Sequence, residues 1–276
     1  MPEAPEITIM SEQLDKYLSG CTLLDIKFSG RYSAKSPIGY PHFATKLPLE
    51  IVSIKNKGKF IYWEFDKGLY MFNTLGLSGV WSHHKGRNPA VILEYKCKKG
   101  ASSDNVKTLY FDDQVHYATV KFVSSKVELD KKLSTLGRDI LNDKSLTADD
   151  YVNLMRQKDK WNITKALMNQ SLVSGIGNYI KSESLYLSGI SPHNSVKDIS
   201  DTRIKSLFKA IKNIVNQSYK VQGMSKRHFK DVEGQQGNFE FKLAVYGRKK
   251  DNNGYTVIRE ETDDKRTTYW VKEIQK

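Results

Sequence analysis

Pro2 is the residue whose chemistry depends most on its position. It follows Met1, and an initiator methionine before so small a residue is ordinarily removed. Pro2 then carries a free secondary amine, starting from the usual α-amino pKa of about 7.7–8.0. The positive end of a following helix pushes that value lower. A neutral secondary amine can attack a sugar C1′ and form an iminium ion, the Schiff-base route of covalent catalysis. With Met1 retained, the same nitrogen is a tertiary amide and inert. Glu3 stands beside it with the chemistry of a general acid, able to protonate a ring oxygen or leaving base and then shuttle protons. Glu6 lies one helical turn on. The bland alternative stays open at this point, since Pro2 and Glu3 are also ordinary residues with which to start a helix.

The elements that must position these groups are legible in the spacing. Ile7, Met10, Leu14 and Leu18 fall on one helical face, with Pro5 in the first turn and Gly20 available to close it. Short β-rich runs follow at Thr22–Phe28, Glu50–Lys55, Lys59–Phe65, Leu69–Phe72, Val91–Cys97, Thr108–Phe111 and Thr119–Val123. Their number and spacing predict a sandwich or barrel. The polar stretch Ser124–Lys132 reads as a hinge or linker. Helices are expected at Ala148–Gln157, Asn162–Asn169, Asn178–Ser188 and Asp201–Tyr219, with the glycine-rich Leu172–Gly177 as a tight turn between the second and third. The chain ends in β structure. Asn252-Asn253-Gly254 is a hairpin signal, and Thr256–Glu260 and Thr267–Val271 flank the polar turn Thr262–Lys265. There is no internal repeat.

Composition bounds the partners. The 276 residues carry a formal net charge of +13, a balance that favours a polyanion through phosphate contacts and counterion release. No apolar run approaches the ~20 residues of a membrane span, and the acidic N-terminus lacks the apolar core of a signal peptide. An intracellular, reducing location is therefore the default expectation. Cys21 and Cys97 are read as giving neither a disulfide framework nor a zinc quartet. The adjacent His83 and His84 are read as surface residues rather than metal ligands.

Several segments, in order along nearly the whole chain, resemble the formamidopyrimidine-DNA glycosylase/endonuclease VIII family. Met-Pro-Glu-Ala-Pro-Glu resembles its Met-Pro-Glu-Leu-Pro-Glu opening. Lys57-Gly58-Lys59-Phe60 resembles the lysine at the start of a strand, and Leu75–Gly79 the Leu-Gly-Met-Ser-Gly loop. Leu172–Tyr179 with Ser182–Leu185 is similar to the helix-two-turn-helix. Val245–Arg248 resembles the entry to the family's finger, and Lys265–Tyr269 its arginine-bearing turn. The resemblance implies Pro2 as nucleophile and Glu3 as general acid/base. It implies Lys59, Asn178 and Arg266 as phosphate ligands, with Lys59 also supporting proton transfer. A cation suits phosphate oxygens, and Asn178 opens a helix whose N–H groups favour anions. The implied α+β architecture is an N-terminal catalytic β-sandwich over 1–125, a linker over 126–147, a helix-two-turn-helix domain over 148–235 and a finger over 236–276.

Two departures shape the expectation further. Most of the family close the finger with four cysteines around zinc, and here none follows Cys97. A zincless finger results, and with it a likeness to the endonuclease VIII-like 1 branch or a viral relative. The residues that fill the hole left by an everted nucleotide are also altered. Leu77 takes the place of the family's methionine. Asp113–Ala118 matches the Asp-Pro-Arg-Arg-Phe-Gly loop, with Tyr117 for phenylalanine and no arginine; His116 is a weak substitute. The implied protein is a monomeric glycosylase/lyase acting on damaged DNA, duplex or single-stranded, without metal or cofactor. Oxidised pyrimidines and hydantoins are its expected substrates. The rivals are an 8-oxoguanine/formamidopyrimidine enzyme of the same family and a non-catalytic helix-two-turn-helix nucleic-acid-binding protein.

Overall fold

The computed structural model of the chain describes residues 2–97, 105–224, 230–235 and 237–276. The chain divides into two compact units. The first comprises Met1–Pro2, Glu6–Thr135 and Gln222–Gly237; the second comprises Glu3–Pro5, Leu136–Val221 and Asn238–Lys276.

The first unit opens with α1 (Ala4–Leu18), most of which it contains. Its strands are β1 (Cys21–Phe28), β2 (Leu49–Lys57), β3 (Phe60–Phe65), β4 (Leu69–Thr74), β5 (Val80–Ser82), β6 (Pro89–Cys97), β7 (Lys107–Asp112) and β8 (Thr119–Val123), with the short helix α2 (Tyr40–Ala44) after β1. They form one antiparallel sheet in the order β5-β7-β6-β1-β2-β3-β4-β8. β2 pairs with β1 only at Thr22 and Leu23 but with β3 along most of its length, so the sheet folds over there into a sandwich. The core lies between the layers. Ile61, Trp63 and Phe65 alternate inward on β3, and Trp63 packs on Trp81 and Trp81 on Phe111, with ring centroids 5.1 and 4.7 Å apart. The apolar stripe of α1 is buried, each large side chain contributing about 1.5–3 kcal/mol.

Two expectations need correction here. The stretch read as a linker forms α3 (Lys126–Ser134), because the Ser125 hydroxyl caps it by accepting the Glu128 N–H at 3.2 Å and Leu129 is buried. Ser-x-x-Glu is a helix-start signature that the polarity of the segment hides. Cys21 and Cys97 are joined as a disulfide. A separation of 76 residues carries no sequence signal, but the β1–β6 register places the two directly opposite one another.

The second unit is helical with a terminal hairpin. It contains α4 (Ala148–Arg156), α5 (Ile163–Met168), α6 (Asn178–Leu187) and α7 (Asp201–Lys220). A Thr147/Asp150 capping box starts α4. The segment between α5 and α6 is the expected turn, and Val173–Ser174 within it pairs in parallel with Arg138–Asp139. These four residues make the short strands β9 (Arg138–Asp139) and β10 (Val173–Ser174). β11 (Ile258–Glu261) and β12 (Thr267–Trp270) form the hairpin, pairing Glu261 with Thr267 and Ile258 with Trp270. The Asn252–Gly254 signal makes the expected hairpin turn, with Lys250 and Thr256 bridged antiparallel across it. Only Gly254 is left-handed, and Asp251 Oδ1 accepts the N–H groups of Asn253 and Tyr255. Tyr269 and Trp270 both pack, Tyr269 edge-on to Tyr246 and Trp270 edge-on to His193, with centroids 5.0 and 5.1 Å apart.

Candidate active site

In the first unit, Pro2 is buried and lies two residues ahead of α1. Lys59 is half-buried in the two-residue turn that joins β2 to β3. Asn56 holds that turn against α1. Its Nδ2 donates to Thr8 Oγ1 at 3.1 Å and to the Gly58 carbonyl at 3.2 Å, and its Oδ1 accepts from Ser11 Oγ at 2.8 Å. Both parts of the site in this unit, the helix behind Pro2 and the turn bearing Lys59, are thus connected through one amide. Sequence reasoning missed Asn56, because a strand asparagine has no signature. Glu6 is buried, and its Oε1 accepts the Met224 N–H at 3.0 Å.

In the second unit, Glu3 occupies the start of α6. Its Oε1 accepts the Tyr179 N–H at 2.8 Å and its Oε2 the Ile180 N–H at 3.2 Å. The anion that the free N–H groups of a helix start attract is thus a side chain of the protein itself. Gly177 makes this possible, since a Cβ there would lie 2.2 Å from Glu3 Cδ. Asn178 Nδ2 donates to the Thr267 carbonyl at 2.7 Å. Arg266 is exposed in the turn immediately before β12, where its carbonyl accepts the Thr262 N–H at 3.1 Å. Tyr246 was not singled out beforehand. Burial, and then the Glu3 charge, push its phenol upward, against an opposing contact with Asn178. Its segment is fixed by buried Glu183, whose carboxylate accepts the N–H groups of Ala244, Val245 and Tyr246.

Leu77 and Tyr117 are 42% and 66% exposed, so neither is a core residue. Their loops are tied together. Ser78 Oγ donates to Asp113 Oδ1 at 3.0 Å, and Asp113 Oδ2 accepts the Ala118 N–H at 3.0 Å. Arg31, also missed in sequence, donates to the carbonyls of His116 and Ala118 and lies 4.0 Å from Asp113. Gly76 admits the close approach, since a Cβ would sit 2.6 Å from the Ala118 nitrogen. His83 is half-buried, edge-on to Tyr17 at 5.7 Å, and burial lowers its pKa. Among the described residues, no three His, Cys, Asp or Glu side chains are gathered as a metal would require.

Comparison with known proteins places this geometry. Residues 1–120 match the formamidopyrimidine-DNA glycosylase N-terminal domain, 136–230 the H2TH domain and 230–276 the C-terminal domain. A formamidopyrimidine-DNA glycosylase of Wolbachia sp. subsp. Brugia malayi is 29% identical over 290 residues, covering 100% of both chains. One of Legionella pneumophila is 28% identical over 251 residues, covering 90% of this chain and 88% of its own. In fold, the chain superposes on MutM of Thermus thermophilus with a TM-score of 0.83 at 20% identity, covering 99% and 98%. It superposes on the Lactococcus lactis enzyme, solved with DNA containing N7-benzyl-Fapy-dG, with 0.84 at 21% identity, covering 100% of both. Sandwich, helix-two-turn-helix and hairpin therefore define a DNA glycosylase of base excision repair. The chain belongs to the formamidopyrimidine-DNA glycosylase family, and its activity is that of a bifunctional glycosylase and abasic-site lyase. The non-catalytic reading is set aside.

Proposed function

We propose that the chain excises oxidised pyrimidines and hydantoin products of guanine through a Schiff base on Pro2. The observation that carries the mechanism is the seating of Glu3. The carboxylate next in sequence to the Pro2 amine is held on both oxygens at the start of α6. The Pro2 nitrogen attacks C1′, and the base leaves with a proton supplied through Glu3. The Pro2 nitrogen gives up its proton, the C1′–O4′ bond opens as O4′ takes up a proton, and the resulting iminium acidifies C2′–H. Loss of that proton expels the 3′ phosphate, a second elimination expels the 5′ phosphate, and water hydrolyses the remaining iminium to free Pro2. No step consumes a cofactor.

Lys59, Asn178 and Arg266 hold phosphates flanking the everted nucleotide, and Leu77 and Tyr117 fill the space it vacates. The hairpin delivers Arg266 without zinc, in the manner of the endonuclease VIII-like 1 branch. A charged hydrogen bond from Arg266 is worth about 1.5–3 kcal/mol, so Arg266→Ala loses most glycosylase activity with the fold intact. The protein acts as a monomer inside the cell on duplex or single-stranded DNA.

Borohydride should trap a protein–DNA adduct on Pro2, and intact-mass measurement should show loss of Met1. An adduct on an internal lysine overturns the role of Pro2. The lesion preference rests on the cysteine-free finger and on the missing arginine between Val115 and Tyr117. A second reading, formamidopyrimidine or 8-oxoguanine excision, is favoured by the names of the relatives. Faster release of 8-oxoguanine opposite cytosine than of thymine glycol or hydantoins decides for it.

A further inference from the structure

Lys181 sits on α6 one turn beyond Asn178, and its side chain is fully buried. Its ammonium lies 2.7 Å from Asp264 Oδ2, and the Asp264 side chain is only 3% exposed. Asp264 belongs to the turn between β11 and β12. Its Oδ1 accepts from Thr262 Oγ1 at 2.6 Å, and Thr262 Oγ1 also pairs with Thr268 Oγ1 at 2.6 Å. The next residues are Lys265, left-handed at φ 58, and Arg266.

A buried ion pair is a poor device for stability alone, because desolvation offsets most of the attraction. Apolar side chains would fill the same space as well. What the pair supplies is direction. Asn178, Lys181 and Ser182 share one face of α6 at three- and four-residue spacing. They reach the Thr267 carbonyl, the Asp264 carboxylate and the Tyr269 N–H, at 2.7, 2.7 and 3.3 Å respectively. The Asn178 and Ser182 bonds fix β12, whereas the Lys181 bond fixes the turn before Arg266. In a hairpin without a cysteine, it is the charged link between the turn and the helix.

We propose that Lys181 is a positioning residue: through Asp264 it sets the turn that presents Arg266. This rests on the reading of Arg266 as a phosphate ligand. The test is single-turnover excision from a lesion duplex by Lys181→Met, Asp264→Asn, Lys181→Arg, Arg266→Ala and the double variant Lys181→Met/Arg266→Ala. Circular dichroism at the assay temperature identifies the folded variants. Lys181→Met and Asp264→Asn should each slow excision by about tenfold or more, as misplacement of a binding group does. Lys181→Arg should restore most of the rate, and Lys181→Met should add little in the Arg266→Ala background. If Lys181→Met does not fold, the isosteric Asp264→Asn is combined with Arg266→Ala and read in the same way. A folded Lys181→Met or Asp264→Asn at the wild-type rate overturns the proposal. So does a loss that multiplies with that of Arg266→Ala, which leaves the reading of Arg266 standing. A fully active Arg266→Ala removes both.

Discussion

At the scale of single residues, the seat of Glu3 makes two substitutions informative. Glu3→Gln removes the acidic proton and also turns one oxygen into an NH2 facing the Tyr179 or Ile180 N–H. A donor set against a buried donor costs about 1–3 kcal/mol. The variant should therefore melt at a lower temperature and release base far more slowly. It should retain more cleavage at pre-formed abasic sites, where no base has to leave. Equal losses in the two steps, in single-turnover assays on the two substrates, would show that Glu3 does not act on base departure. Gly177→Ala tests the seat with the acid intact. The new Cβ would lie 2.5 Å from Glu3 Oε1, so the carboxylate must leave the helix start. Base release should fall nearly as far as in Glu3→Gln. A folded Gly177→Ala at the wild-type rate would mean that the seat is dispensable.

At the scale of elements, loops and turns are positioned by polar side chains that the strand and helix patterns do not reveal. Asp113 is buried between the Leu77 and Tyr117 loops, joining Ser78 to the Ala118 N–H. Asp113→Ala leaves that N–H without its acceptor, again at about 1–3 kcal/mol, and lets both wedges move. Lesion-duplex affinity should drop about tenfold, with less change for an abasic single strand, which has no stack to fill. Equal affinity for the lesion duplex in titrations of the folded variant would remove the wedge role. The α6–hairpin link makes a prediction in pH. Burial lowers the Lys181 pKa, with Asp264 and Glu3 holding its proton and Arg266 opposing it. Between that lowered value and about 10.4, the unfolded chain binds a proton that the folded chain does not, so this group adds stability as pH rises. Activity moves the opposite way, because an uncharged amine no longer holds the turn. Excision should fall on the alkaline side without a matching fall in melting temperature from Lys181. Lys181→Arg should move the fall to higher pH, since a guanidinium keeps its charge. Superimposable profiles would assign the alkaline fall to another group.

At the scale of the whole molecule, what could be read in advance divides along a physical line. Periodicity marks elements, so α1, most of the strands and the four helices after residue 147 were legible within a few residues of their ends. Register and tertiary hydrogen bonding are not periodic. The Cys21–Cys97 pairing, β5, Asn56, Arg31 and the Lys181–Asp264 link follow from which segments meet, and no single segment carries that information. Ser125 at the start of α3 is the exception, a signal that was present and was outweighed by polarity. Charge belongs to this scale too. A net +13 predicts DNA binding that weakens steeply with salt, by a slope of about 0.9 for each phosphate neutralised. The proposed phosphate ligands differ in charge, and this separates them. Lys59→Ala and Arg266→Ala should each lower affinity across all lesions and reduce the salt slope by about 1. Asn178→Ala should lower affinity as broadly but leave the slope unchanged, because an amide releases no counterion. Anisotropy titrations at several salt concentrations on two unrelated lesions read both quantities. A Lys59→Ala slope equal to that of the wild type would mean that Lys59 neutralises no phosphate. A loss confined to one lesion would mean that the residue reads the base, since phosphate contacts carry no base information.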